Sequence, residues 1–332
     1  MFSVTNSRGF VNQQEQFEDR EMKGEDIAAY KIISPGEFAY NPARINVGSI
    51  ARYDGESDCM ISSLYVCFKA KKELVDSQLL LHILKSPKMV YNYGINGEGG
   101  VRIYLFYPNF ARIRVKLPGL DEQRKIASFL DVLEQRIELQ SKVIERYESL
   151  IKALRHHIFA GIKPVEEVCF SDILSYEQPT RYIITDTEYS HDKDLTPVLT
   201  ANKAFILGYT DEKEGIYKKG PSIILDDFTL DCKIVDFPFK VKSSAIKILT
   251  ARSSVNLRYA YEYLRYLDLN TEEHKRHYIT EIEPMTIELP GKAEIDSVSN
   301  LFSKLDSRKQ LAERELELLK SEKAFYLNTL FI

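Results

Sequence analysis

The sequence predicts an α+β fold in which two β-rich globules are separated by two long antiparallel coiled-coil helices, with the halves forming an internal duplication about a pseudo-twofold axis. Three observations lead there. The run RIRVKLPGLDEQRKIASFLDVLEQRIELQSKVIERYESLIKALRHHIF around Pro118 returns as PMTIELPGKAEIDSVSNLFSKLDSRKQLAERELELLKSEKAFYLNTLFI around Pro290. Both copies carry apolar residues at alternating spacings of four and three, the seam of a coiled coil. Both follow stretches of β-branched and aromatic runs broken by Gly, Pro, Asn and Asp, the signature of short strands and turns.

The repeat holds without a gap. Superposing Leu117-Pro118-Gly119 on Leu289-Pro290-Gly291 also pairs Glu122 with Glu294, Leu133 with Leu305, Arg136 with Arg308 and Phe159 with Phe331. Upstream, Ser62-Ser63 before LYVCFKA matches Ser243-Ser244 before AIKILTA, and a glycine opens a hydrophobic strand at Gly36 and at Gly220. A helical insert is expected in each globule, near Ser77–Leu84 and Arg258–Leu267. The resulting division is 1–117, a globule; 118–160, a helix; 161–289, a globule; and 290–332, a helix. The second globule has residues 161–199 between the helix and Thr200, whereas only residues 1–4 precede the equivalent Thr5. The first globule is therefore expected to be shortened at its start, as a truncated, split or rearranged copy.

In the first helix the seam runs Ile126, Leu130, Leu133, Ile137, Gln140, Ile144, Tyr147, Ile151, Leu154 and Ile158. In the second it runs Val298, Phe302, Leu305, Lys309, Ala312, Leu316, Leu319, Lys323, Tyr326 and Leu330, weakened by two lysines that are expected to snorkel outward. Glu134, Arg136, Glu145 and Arg146 read as a solvated face. Pro118 and Pro290 stand just ahead of the helices, where a missing N–H costs least. Each helix spans roughly 55 Å, and burying the two seams against each other puts a globule at each end of a rod. Such a twofold ruler suits duplex DNA read as two half-sites. The pattern alone leaves a protein-interaction scaffold equally open.

Composition narrows the class. With 44% hydrophobic and 28% charged residues the 332-residue chain is globular, and its length favours two domains over one. It has no apolar run long enough to span a membrane and no secretory leader, so a cytoplasmic location is expected. Cys59, Cys67, Cys169 and Cys232 lack the spacing of a zinc site or a disulfide framework. A net charge of −4 argues against a uniformly basic surface, so DNA contact has to be local or shared with another subunit.

Several strings then resemble a known family, the specificity subunits of type I restriction–modification enzymes. The helix start Leu117-Pro118-Gly119-x-x-Glu122-Gln123-x-x-Ile126-Ala127-x-x-Leu130, continuing to Leu154, His157 and Phe159, is similar to that family's conserved helix. Tyr30 to Ile33, Gly36 to Asn41 and Gly48-Ser49-Ile50 resemble its target recognition domain, as do Ile206 to Thr210 and Leu225 to Thr229. The resemblance covers nearly the whole chain. It implies two target recognition domains reading a bipartite site, with helices that set the gap and bind two methyltransferase subunits. S-adenosylmethionine and ATP are then expected only on partner subunits, the methyltransferases and the restriction subunits of the full complex. The chain itself is expected to hold no cofactor or metal and not to be an enzyme. The alternatives are a coiled-coil scaffold that does not bind DNA and an inactive truncated copy.

Base readout needs donors and acceptors of defined geometry on a rigid scaffold, and phosphate contact needs cations. The candidates in the first globule are Asn41, Arg44, Asn46, Ser49, Ser62, Ser63 and Arg102. In the second they are Lys203, Tyr217, Lys218, Lys219, Lys240, Lys242, Ser243, Ser244, Lys275 and Arg276. Each is weighed against an ordinary solvated surface residue. Asp226-Asp227 interrupts the basic run unless it accepts from cytosine amino groups.

Catalytic readings fail on residue type. Asn41-Pro42-Ala43 lacks the second proline and the aromatic of an amino-methyltransferase motif. Gly94 to Gly100 is glycine-rich but does not link a strand to a helix, so it reads as a mobile loop near the DNA backbone. His274 and His277 lack a third ligand. His156-His157 sits where a helix end favours cations anyway. A phosphate-binding GxxxxGK[ST] loop is absent, and no nuclease carboxylate–lysine set is present.

Overall fold

The computed structural model describes residues 2–6, 8–12, 29–99, 103–201, 204–252, 255–269, 271 and 275–330. Arg102, Lys203, Gly100 and His274 lie outside them. The chain forms two compact units, residues 1–142 with 313–332, and residues 143–312.

In the first unit β1 (Phe2–Thr5) and β2 (Gly9–Asn12) make an antiparallel hairpin. β3 (Lys31–Ile33), β4 (Phe38–Tyr40), β5 (Ile50–Arg52), β6 (Cys59–Ile61) and β7 (Val66–Phe68) follow. They sort into two sheets ordered β2-β1-β6-β3, with β1 parallel to β6, and β5-β4-β7. All three residues of β4 are buried because successive strand side chains point to opposite faces. Phe38 and Tyr40 enter one core with Leu79, Ile83 and Tyr93, while Ala39 enters another with Val4, Ile33 and Ile61.

Helices α1 (Ser77–Leu84) and α2 (Pro87–Asn96) follow, each started by a side-chain cap. Asp76 accepts the N–H groups of Gln78 and Leu79, and Ser86 accepts that of Met89 ahead of a proline at the first helical position. The expected mobile loop at Gly94 is corrected here. Gly94, Ile95 and Asn96 complete α2, because Met89 and Tyr93, one turn apart, are both buried and hold that face down. A single turn α3 (Tyr107–Phe110) brings the Phe110 ring to 4.9 Å from Tyr40.

The first long helix, Leu120–Ala160, starts just after Pro118-Gly119. Gln123 of its opening motif is buried. Its Nε2 donates to the carbonyls of Leu74 (3.1 Å) and Pro118 (2.8 Å), and its Oε1 accepts the Asp76 N–H (2.9 Å). The helix start is thereby pinned to the cap of α1.

The second long helix is Lys292–Leu330. Within the first unit the two helices run antiparallel: Phe129 packs edge-on against Tyr326 (4.9 Å), Glu134 meets Lys323 (3.0 Å) and Gln140 meets Glu315 (3.2 Å). Within the second unit Glu148 meets Lys309 (2.9 Å) and Phe159 stacks at 6.5 Å from Phe302.

All seam positions of the first helix are buried or half-buried, whereas its neighbours Leu139 and Leu150 are exposed. On the second helix the seam faces inward as far as Tyr326, after which Leu330 turns outward and Leu327 enters the core instead. A 3.6-residue helix drifts against a 3.5-residue repeat, which accounts for the slip at the end. Lys309 and Lys323 lay half-buried stems in the seam and carry their ammonium groups to the flank of the other helix. Glu134 and Arg136, expected to be simply solvated, reach across to Lys323 and Glu315, while Glu145 and Arg146 stay exposed.

The second unit opens with β8 (Glu166–Cys169), a single turn α4 (Phe170–Ile173) and β9 (Leu174–Glu177). Then come β10 (Thr196–Leu199), β11 (Ile206–Thr210), β12 (Ser222–Asp226), β13 (Cys232–Val235), β14 (Lys240–Val241), β15 (Ile246–Ala251), α5 (Leu257–Leu267) and β16 (Thr286–Leu289). The sheets are ordered β11-β10-β14, with β10 parallel to β14, and β13-β12-β15-β9, beside a β16-β8 pair. The hairpin with a parallel third strand, the central strand between two antiparallel neighbours, and the helix after them all recur from the first unit. Strand β12 again divides its side chains, Ile223 and Leu225 to one core and Ile224 to another. Cys232 lies in the first of these cores, and burial pushes its thiol up to about 12, which makes it a poor nucleophile. The four cysteines are free. Among the described residues no helix is long and apolar enough to cross a membrane.

Candidate nucleic-acid interface

In both units a polar turn follows the central strand, and a serine turn precedes the strand beside it. Asn41 Oδ1 accepts the Ala43 N–H (3.0 Å) after β4, and Asp226 Oδ1 accepts the Phe228 N–H (2.9 Å) after β12. Ser62 Oγ accepts the Leu64 N–H, and Ser243 Oγ accepts the Ala245 N–H, both at 3.4 Å. Strand register sets the turns side by side, since Tyr40 pairs with Val66 and Asp226 with Ile246.

The second unit adds a third segment to this corner. Asp227 is buried, and its Oδ1 accepts the N–H groups of His277 (3.2 Å) and Tyr278 (2.9 Å). Its own N–H donates to the Ala245 carbonyl (2.9 Å). The exposed Lys275 and Arg276 are thus held next to the serine turn, where Arg276 Nη2 donates to Ser244 Oγ (3.0 Å). Lys242 and Ser243 are exposed beside them. Lys275 pairs with Glu281 (3.0 Å), and hydrogen bonds from Lys275 and His277 hold the Glu281 carboxyl below its usual range.

The structure therefore brings together Lys242, Ser243, Ser244, Lys275 and Arg276. Lys218 and Lys219 are exposed on the turn before β12, where Lys219 pairs with Glu177 (2.6 Å). In the first unit Arg44 and Ser63 are exposed, and Asn41 and Asn46 half-exposed, around the corresponding turns.

Four expected contacts turn inward. Tyr217 is buried, its ring 4.8 Å from Phe239 and 5.2 Å from Tyr182, because its backbone bridges to Phe239. Lys240 is buried, with its ammonium on Glu212 (2.6 Å) and the Glu214 carbonyl (2.8 Å). Ser49 is buried and donates to the Val4 carbonyl (2.9 Å), and Ser62 is buried as the acceptor of its own turn. The cytosine reading of Asp226-Asp227 is corrected as well. Asp226 caps its turn and accepts from Thr229 (2.7 Å), and Asp227 is an internal anchor. No signal in the local sequence separates Asp227 from a surface acid; its role depends on a partner segment fifty residues later, at His277. His277 is also internal, between Glu281 (2.8 Å) and Thr271 (3.1 Å), and among the described residues no set of three metal-ligating side chains converges.

Glu212 gives a pH prediction. Lys240 first, then the Thr185 hydroxyl and the Asp186 N–H, hold its carboxyl down at about 2. A folded value below the unfolded one contributes stability above the ordinary carboxylate range, and that stability is lost as pH falls through the folded value. Glu212→Gln is expected to cost about 2 kcal/mol at neutral pH, because charged hydrogen bonds are lost around a buried ammonium. In thermal melts at a series of pH values, the gap from the parent chain closes as pH falls towards 2. A gap that stays constant with pH sinks the assignment.

Each unit thus combines a β-rich module carrying matched polar turns with segments of both long helices. Residues 3–148 match the model of the type I restriction modification DNA specificity domain family. It is 46% identical over 132 residues to the EcoR124I/EcoR124II specificity subunit of Escherichia coli, a match covering 38% of this chain and only 32% of that one. A putative MjaX specificity subunit from Methanocaldococcus jannaschii is 20% identical over 345 residues, covering 93% of this chain and 80% of the relative. The type I restriction-modification S subunit from M. genitalium has the same fold, with a TM-score of 0.61 at 13% identity over 91% of this chain and 84% of that one. A chain from a structure of type I R-M complex assembly matches with a TM-score of 0.55 at 16% identity over 90% and 82%.

Proposed function

We propose that the chain is the DNA-specificity subunit of a type I restriction–modification complex. It recognises double-stranded DNA, catalyses no reaction itself, and acts in the cytoplasm. Its modules at 1–117 and 161–289 are target recognition domains reading the two halves of a bipartite site, and 118–160 and 290–332 are the spacer helices. The observation that carries this reading is the corner at Lys242, Ser243, Ser244 and Arg276, where hydroxyls for base edges stand beside cations for phosphates. In this role Lys218, Lys219 and Lys275 meet phosphates. Asn41, Arg44, Asn46 and Ser63 serve the first module.

Two methyltransferase subunits dock on the helices, bringing S-adenosylmethionine, and restriction subunits bring ATP-driven activity to the full complex. Leu139, Leu311, Leu318 and Phe325 support this docking, since they are more than half exposed on helix faces turned away from the seams. The acidic net charge fits DNA binding that belongs to the assembly rather than to this subunit alone.

The test uses the chain co-purified with the methyltransferase encoded beside its gene. Lys242→Glu with Arg276→Glu is expected to weaken specific DNA binding at least about tenfold and to flatten its salt dependence, while assembly is unchanged. Wild-type affinity in that variant, or no association with the methyltransferase, overturns the proposal.

A further inference from the structure

The corners of the two modules are built alike and carry different chemistry. Strand β4 divides its side chains between two cores as β12 does, so Asn41 matches Asp226 and Pro42 matches Asp227. The third segment recurs as well. The Leu105 N–H donates to the Pro42 carbonyl (3.0 Å), just as the His277 N–H donates to the Asp227 carbonyl (3.1 Å). That backbone match puts Tyr104 in the place of Arg276. The superposition of Leu117-Pro118-Gly119 on Leu289-Pro290-Gly291, continued upstream without a gap, gives the same pair. Arg276 leans on Ser244, whose match in the first module is the exposed Ser63.

Tyr104 is held in place. Its backbone bridges to Glu98 through two hydrogen bonds of 2.8 Å, and the next residue, Leu105, is fully buried. With Leu105 turned inward, Tyr104 and Phe106 are turned outward, 37% and 50% exposed, with their rings nearly parallel at 6.2 Å. Leu64, beside Ser63, is 68% exposed where the second module has only Ala245, and Tyr278, the match of Phe106, is fully buried. The first corner is therefore apolar at the point where the second is cationic.

We propose, on the footing that the chain recognises double-stranded DNA, that Tyr104 is a specificity-determining residue of the first module, its ring set against the 5-methyl group of a thymine. A cation on a phosphate is blind to sequence. The major groove offers one apolar group that marks a base, the thymine methyl, and apolar side chains are what meet it. A ring already fixed by its neighbours loses little freedom in making that contact. Leu64 and Phe106 extend the apolar surface around it. The two modules then read by different chemistry from one scaffold, a ring in the first and a guanidinium in the second.

The chain is co-purified with the methyltransferase encoded beside its gene, and the motif is read from the DNA the complex methylates. Duplexes carrying that motif are then made with each thymine in turn replaced by deoxyuridine, which lacks only the methyl. At one thymine in one half of the motif, the replacement is expected to weaken binding by the parent complex about fourfold, the effect of one methyl group. Tyr104→Ala should bind the thymine duplex at least about fivefold more weakly than the parent, the scale of one lost base contact. It should bind the thymine and deoxyuridine duplexes equally. Tyr104→Phe should keep the parent's preference, because the ring makes the contact, and Arg276→Ala should weaken binding without altering that preference. A Tyr104→Ala complex that loses affinity for both duplexes alike, keeping their ratio, has only lost structure, and this overturns the proposal. So does a parent complex indifferent to every replacement. A parent complex with no site-specific binding removes the recognition reading itself. Specific binding that Tyr104→Ala leaves unchanged removes only the role of Tyr104.

Discussion

Replacing Glu262 with glutamine is expected to lower the melting temperature of the second unit by roughly 10 °C, the equivalent of about 3–5 kcal/mol in a unit of this size. Glu262 lies on α5 and is fully buried. Its Oε2 accepts from Arg155 Nε at 2.8 Å, and its Oε1 stands 2.8 Å from Arg258 Nη2, as an ion pair without hydrogen-bond alignment. Arg258 continues to Asp306 (3.0 Å) and to the Phe302 carbonyl (3.3 Å). The network therefore joins α5 to both long helices inside this unit. Glutamine keeps the shape and removes the charge, leaving two largely buried guanidinium groups with one carboxylate between them. The desolvation of those groups is already incurred in the folded state, so the lost partner is felt almost in full. Scanning calorimetry of Glu262→Gln, Arg155→Met and the double variant measures this directly. The double variant should melt above Glu262→Gln. If Glu262→Gln melts within about 2 °C of the parent, the network contributes little.

The second large effect is expected at Asp227. This carboxylate and the Lys247 ammonium are 3.1 Å apart, and Lys247 is only 2% exposed. Lys247 also donates to the Tyr176 hydroxyl (3.1 Å) and stands 4.8 Å above its ring. In Asp227→Asn one oxygen remains to accept from His277 and Tyr278, but an amide replaces the charge facing the lysine. The stranded ammonium is expected to cost about 3–5 kcal/mol. Adding Lys247→Met should recover part of that loss, because an apolar residue of similar volume needs no partner. Hydrogen exchange distinguishes anchoring from general destabilisation. Amides at His277 and Tyr278 should exchange faster in the single variant, by more than those of β12. Uniform acceleration across the unit counts against Asp227 as the anchor of the Lys275–Arg276 segment.

These two sites mark where the sequence stops being readable. The long helices were legible because their seams are local and periodic, and the helix starts because Pro118 acts next to where it sits, whereas the buried amide of Gln123 is held by Leu74 and Asp76 from far earlier in the chain. The matched serine turns were legible because they occur twice. Lys240 and Tyr217 were not, because residue type points to the surface whereas β-sheet register turns them inward. Lys240 is buried only because the chain returns Glu212 and the Glu214 carbonyl to its ammonium. Glu262 reads as one more helix charge until Arg155 arrives from a different helix, a hundred residues earlier in the chain. Gly94 suggested a loop by composition, but the buried Met89 and Tyr93 one turn apart outweighed it.

The division of the chain between the units bears on its birth as well as on its stability. The first unit is discontinuous: residues 1–142 wait for 313–332, whose Leu327 belongs to the core with Leu130 and Leu133. During vectorial synthesis the whole second unit is made in between, a delay on the order of ten seconds at typical elongation rates. Through that interval Leu130 and Leu133 have the core residues of the first module beside them but lack Leu327 and Tyr326 of the second long helix, while the second unit closes on contiguous chain. The N-terminal module is translated first and finished last, and the nascent chain's exposure to chaperones and proteases is concentrated there.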